Sequence, residues 1–219
     1  MLAAGNRTMA SYFVETAKQE KGKGQFFYVA QEYGNEIFFG SDHGRIWRYQ
    51  KQGGQFELLQ LPASSRIVEI KKINEQAILI VTKTDGFFVY DVASKGMEHY
   101  EASRLPKAPV RSAYMDKYSE IWFEQEVPGT VAHFNAKTKV LKTEVIPVEP
   151  TSTDRSRPAF HVHEDIYGTV WVHPYGGGFS RFDRENNRLQ SFYNGLSDAN
   201  WRFSNKIHSA FSDRQGNLW

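Results

Sequence analysis

Short runs of alternating apolar and polar residues, or of four to five consecutive apolar ones, recur along this 219-residue chain. They are rich in aromatic and β-branched residues and are punctuated by Gly, Asn, Asp and Ser, the pattern of strands joined by turns. No stretch of about twelve positions carries a helical stripe. The runs group in fours. The first group predicts strands over 26–31, 36–40, 45–49 and 56–59, and the second over 67–73, 77–82, 87–91 and 97–100. The third predicts 110–115, 120–124, 130–135 and 140–145, and the fourth 160–164, 169–173, 178–183 and 189–193. Tyr49, Tyr90, Phe134 and Phe182 mark the ends of the four third strands.

Between the first and second strand of each group stands a turn signal. Its fullest copies read Asp165-Ile-Tyr-Gly168-Thr-Val-Trp171 and Asp213-Arg-Gln-Gly216-Asn-Leu-Trp219. The same frame can be laid on Asp116/Ser119/Trp122, Asn74/Ala77/Ile80 and Gln31/Gly34/Ile37. Successive copies begin 43, 42, 49 and 48 residues apart. A period in the forties filled with four short strands is the mark of β-propeller blades. An opening Asp or Asn can accept backbone N–H groups two residues on, and the Gly can take positive φ. The closing Trp falls on the next strand, where it is expected to fill the space between neighbouring blades. The fold class is therefore all-β: a β-propeller fragment of about four four-stranded blades and the start of a fifth. The blades are placed at about 25–60, 66–101, 110–146 and 159–194, with the fifth beginning at 206.

Composition narrows the function classes. Aromatics make up 15% of residues, which suits blade packing. The formal charge is only +2 and the basic residues are scattered, so no nucleic-acid partner is expected. There is no cysteine, which removes disulfides, thiolate nucleophiles and cysteine-held metals. The first residues, Met1-Leu-Ala-Ala-Gly, lack the apolar run of a signal peptide, and no segment approaches the roughly 20 apolar residues of a membrane span. Residues 1–24 are read as the outer strand of a preceding blade (11–15) and a polar connector. Trp219 falls early in a second strand, so the chain is expected to be a piece of a longer polypeptide. Open edges and apolar blade faces would then favour self-association.

The run Ile207-His-Ser-Ala-Phe-Ser-Asp213-Arg-Gln-Gly216-Asn-Leu-Trp219 resembles the regulator-propeller repeat. That repeat has an apolar strand, then Asp-x-x-Gly-Asn-Leu-Trp, then a Gly-Leu segment and a Tyr-Asp or Phe-Asp pair. Gly178-Phe179 with Phe182-Asp183, and Gly86-Phe87 with Tyr90-Asp91, stand at the later positions. Gln31, Asn74, Ala77 and Ser119 depart from the pattern. The resemblance covers about residues 25–219. It implies the periplasmic sensor region of a hybrid two-component regulator of the glycan-sensing type found in gut bacteria. There, propellers precede a further β-domain, a membrane helix, a histidine kinase and a response regulator. Under it the chain's partner is an oligosaccharide or other small ligand, and membrane contact comes only through regions outside this segment.

Two long connectors supply the candidate binding residues. Residues 147–158 bring Arg155 and Arg157, and residues 194–205 contain Trp201, Arg202, Phe203 and Asn205. Tryptophan offers a flat apolar face to a sugar ring, while Arg and Asn give directed hydrogen bonds. Trp201 and Phe203 have an alternative reading, as a satellite core under a blade. His161 and His163 share a face of a first strand, with His173 on the strand beside it. Three imidazoles, with Glu164 or Asp165, could hold a zinc ion, or else line a wet channel. The second reading is adopted, so the ligand-binding set is Trp201, Arg202, Asn205, Arg155, Arg157 and His161. Glu124 and Glu126 share a strand face. No nucleophile elbow, metalloprotease helix or phosphate loop is present, and no catalytic residue, metal or cofactor is assigned. The alternatives to a sensor are a protein-interaction platform and, third, a propeller lyase or hydrolase with a histidine-lined channel.

Overall fold

A computed structural model describes residues 26–125, 127, 129–147, 160–174, 178–192, 207 and 209–219. The strand expected at 11–15, like Glu126, lies outside the described residues. The first sheet contains β1 (Val29–Tyr33), β2 (Glu36–Gly40), β3 (Arg45–Gln50) and β4 (Gln55–Gln60). The second contains β5 (Ile67–Lys72), β6 (Ala77–Thr82), β7 (Phe87–Asp91) and β8 (Met97–Tyr100). The third is β9 (Val110–Met115), β10 (Glu120–Gln125), β11 (Thr130–Asn135) and β12 (Val140–Val145). The fourth is β13 (Phe160–Glu164), β14 (Val170–Pro174), β15 (Phe179–Asp183) and β16 (Arg188–Phe192). In every sheet the four strands pair antiparallel in sequence order. First strands of neighbouring sheets approach one another, β1 with β5 and β5 with β9, so the first strand of each sheet is innermost. These are blades of a β-propeller, as the repeat predicted.

The core is three apolar layers, each pressed between two blades. Phe38 and Ile46 of the first blade meet Ile70, Ile78, Ile80, Phe88 and Tyr90 of the second. Leu79, Val81 and Phe87 of the second meet Ile121, Phe123 and Phe134 of the third. Trp122 and Val131 of the third meet Val170, Val172 and Phe182 of the fourth. Strand alternation sends successive side chains to opposite layers, which is why β6 and β10 are apolar on both faces. The aromatic that ends a third strand packs backwards onto the preceding blade: Tyr90 on Phe38, Phe134 on Phe87 and Phe182 on Trp122. Each such ring, once buried, contributes about 1.5–3 kcal/mol.

Three turns share one device. In 116–120, 165–169 and 213–217 the first residue's N–H bonds the fifth residue's carbonyl. The Asp Oδ1 accepts two backbone N–H groups, from Tyr118 and Glu120, from Tyr167 and Thr169, and from Gln215 and Asn217. The other carboxylate oxygen accepts the indole N–H of Trp122, Trp171 or Trp219 at 3.4, 3.0 and 2.9 Å. Each tryptophan therefore closes its own turn, and Trp122 also fills the layer between the third and fourth blades. For Asp165, burial pushes the carboxyl up, but the bonds from Trp171, Thr169 and Tyr167 outweigh it and hold it below the carboxylate range.

The two earlier copies differ from the sequence frame. In the second blade Ile73 N–H bonds Ala77 O and Lys72 pairs with Ile78, so Ile73, not Asn74, stands where Asp116 does. Leu79 then occupies the tryptophan position and enters the layer toward the third blade, while Ile80 faces the first. Asn74 still accepts N–H groups, from Gln76 and Ala77. In the first blade the chain reverses over Gly34 and Asn35 alone, so β1 runs on to Tyr33 and Gln31 lies inside it. Ser119 has φ 67°, where Gly168 and Gly216 have 83° and 86°. A side chain is disfavoured in this left-handed region. Ser119→Gly is expected to raise stability by about 0.5–1 kcal/mol, read by urea denaturation.

Candidate functional site

The polar residues of this region come from the first two strands of the third and fourth blades and from Ser212 beyond them. Alternation on β13 puts His161 and His163 on one face and Val162 on the other, where it joins the layer against the third blade. Register places His161 opposite His173 and His163 opposite Trp171. The rings of His161 and His173 stand 5.4 Å apart. Across the blade gap His161 Nδ1 is 3.9 Å from Glu124 Oε1, and Glu124 Oε2 accepts the Ser112 hydroxyl at 2.6 Å. His163 turns the other way, its Nε2 2.8 Å from Ser212 Oγ.

The electrostatics follow from depth. His173 is 3% exposed and its Nδ1 has no hydrogen-bond partner. Burial, with smaller contributions from His161 and His163, lowers its pKa to about 4, so it is neutral at physiological pH. His161 is the exposed member, with 43% of its side chain open. The row thus presents one accessible imidazole, a neutral one behind it, and a carboxylate held by a serine.

The carboxylates suggested as zinc oxygens are engaged elsewhere. Glu164 accepts the Tyr114 hydroxyl at 2.9 Å and the Lys117 backbone N–H, and Asp165 closes its turn. Among the described residues no three His, Asp or Glu side chains are grouped to hold a metal ion. Of the sequence-derived binding residues, His161 is described in this row. Trp201, Arg202, Asn205, Arg155 and Arg157, with Phe203, lie outside the described residues. Sequence reasoning missed Ser112 and Ser212. The available signal was the repeat: Ser212 precedes Asp213 as Glu164 precedes Asp165, so the two hold matching positions before their turns.

No protein-family model and no curated protein matches the sequence. Solved structures do. The extracellular domain of BT4673 from B. thetaiotaomicron, described as a one-component and elsewhere as a hybrid two-component system, is 17% identical, with a TM-score of 0.56 over 94% of this chain. The extracellular domain of BT3049 from the same organism, described as a hybrid two-component system, is 17% identical, with a TM-score of 0.55 over 88%. Virginiamycin B lyase from Staphylococcus aureus, in a catalytically inactive variant with quinupristin, is 15% identical, with a TM-score of 0.59 over 92%. The chain spans 27%, 25% and 64% of these three structures. At such identities the likeness establishes the propeller fold.

Proposed function

We propose that this chain is a ligand-sensing segment of the extracytoplasmic propeller region of a hybrid two-component regulator, and that the ligand is an oligosaccharide. The observation that carries the reading is the turn device itself. Asp116, Asp165 and Asp213 each accept an indole N–H six residues on. Two structures of similar fold, BT4673 and BT3049, are extracellular domains of bacterial signalling systems. No helix among the described residues is long and apolar enough to cross a membrane. On this reading the segment lies in the periplasm and performs no chemistry of its own. Ligand binding shifts the population between arrangements of a self-associated receptor and so sets kinase output.

The ligand is assigned to the end of the propeller where connectors 147–158 and 194–205 enter their blades. Trp201 would stack on a sugar ring, Arg202, Asn205, Arg155 and Arg157 would bond hydroxyls or a carboxylate, and His161 would reach in from its strand. Melting the chain against a panel of plant and host oligosaccharides is expected to give a saturable rise in Tm for one glycan class. Trp201→Ala is expected to weaken that binding at least about tenfold. A panel that leaves Tm unmoved would overturn the ligand assignment.

A propeller lyase is the second reading, favoured by the similarity to virginiamycin B lyase and by the His163–Ser212 pair. Mass spectrometry of the bound glycan separates the two. A ligand recovered intact supports the sensor, and a cleaved one supports the lyase.

A further inference from the structure

A pocket of about 360 Å³ lies between the second and third blades, where the β6–β7 turn meets the connector that links β8 to β9. Leu105 and Val110, 6% and 3% exposed, line it together with Pro106, Ala108 and Pro109, so its interior is apolar. Thr84, Ser103 and Lys107 also line it and are exposed, so it opens to solvent. Its walls are held in place. A 3-10 turn at Ala102–Arg104 leads the connector away from β8, and the Leu105 N–H bonds back to the Ala102 carbonyl at 3.0 Å. Gln125 of β10 is 1% exposed, and its side-chain amide donates to the carbonyls of Pro106 at 2.9 Å and Ala108 at 3.0 Å. Pro106 and Pro109 fix φ along the same stretch. The Val110 N–H bonds the Lys83 carbonyl at 2.9 Å, which ties the connector to the opposite turn. The pocket is therefore preformed.

The charge on this pocket is one-sided. Among the described residues its charged lining is Lys83, half-buried, and Lys107, exposed, and neither ammonium has a hydrogen-bond or ion-pair partner there. The neighbouring acidic residues do not line it and are engaged elsewhere. Asp85 accepts the backbone N–H groups of Ser64 and Ser65 and the Ser64 hydroxyl, and Glu101 accepts the Ser103 hydroxyl at 3.4 Å. An apolar interior with a few polar groups is the make-up of a small-molecule site, and the volume lies in that range. Lysine carries its ammonium on a flexible stem, so both can turn to one anion at the rim. We propose that this pocket binds a small aromatic monocarboxylate, its ring against Leu105, Pro106 and Val110 and its carboxylate paired with Lys83 and Lys107. The apolar interior opposes a sugar, whose hydroxyls would lose water without gaining partners, and the two lysines oppose a cation. The site draws on none of the residues assigned to the oligosaccharide and does not depend on the sensor reading.

The test follows the backbone amides of the ¹⁵N-labelled chain by NMR while benzoate, phenylacetate and trans-cinnamate are added singly at low salt. At least one is expected to shift the amides of Gly86, Leu105 and Lys107 saturably. Benzyl alcohol keeps the ring without the charge, and acetate keeps the charge without the ring. Each is expected to bind at least about tenfold more weakly than the best of the three acids. Lys83→Gln combined with Lys107→Gln removes both charges and breaks no ion pair. It is expected to weaken the same acid about tenfold or more while leaving Tm unchanged. Oligosaccharide binding at residues 147–158 and 194–205 would leave these amides in place, so the two sites are read separately. If none of the three acids moves these amides, the proposal is overturned. It is overturned equally if benzyl alcohol or acetate binds as tightly as the acids, or if the double lysine variant binds as the parent does.

Discussion

Asp116→Ala is expected to cost about 3–5 kcal/mol, the loss seen when one partner of a buried charge pair is removed. Asp116 is 3% exposed and accepts four donors: the backbone N–H groups of Tyr118 and Glu120, the indole of Trp122 and the guanidinium of Arg184. Alanine leaves those donors without their acceptor. It also releases Arg184, which reaches from the fourth blade to lie 4.0 Å over the Tyr118 ring of the third. Two blades are thus loosened by one change. Asp213 makes the same backbone and indole bonds, without a guanidinium, in an exposed turn, and Trp219 holds its carboxyl down to about 2. Its alanine variant is expected to change stability far less, because water replaces the lost acceptor. Urea denaturation of both variants checks this, and equal losses would mean that burial is not what gives Asp116 its weight.

Stability is expected to fall as pH drops from about 6.5 to about 4, by roughly 3 kcal/mol through His173 alone. The folded state depresses this imidazole to about 4, chiefly by burial, while the unfolded chain protonates it near 6.5. Between those values the unfolded state binds the extra proton, so acid favours unfolding. Above the unfolded value both states are neutral and His173 contributes no slope. His173→Phe keeps an aromatic ring in the layer and is expected to flatten the curve between pH 6.5 and 4. An unchanged slope in that variant would show that His173 is already charged in the fold. Both effects are large against a typical domain stability of about 5–15 kcal/mol.

The propeller was legible because one period repeats local chemistry. Asp165 and Asp213 each close a turn and name a tryptophan six residues on, and the alternating apolar runs give the strands. Where the chain replaces that chemistry with plain apolar packing, the reading slipped by a residue. Ile73 and Leu79 stand at the Asp and Trp positions of the second blade, but neither carries a polar signature, so Asn74 drew the frame to itself. Ser119 shows the reverse case, since the backbone takes the glycine conformation without the glycine. The histidine row was visible as a spacing of two on β13. Its partners Ser112 and Glu124 come from another blade, and only the packing of blades sets that distance.

The sensor account stands or falls most directly on the coding sequence that flanks this segment, read through to both ends of the open frame. The expected result is more Asp-x-x-Gly-x-x-Trp repeats, then a membrane helix and a histidine kinase in the same polypeptide. A frame that encodes a propeller with neither membrane helix nor kinase would contradict it.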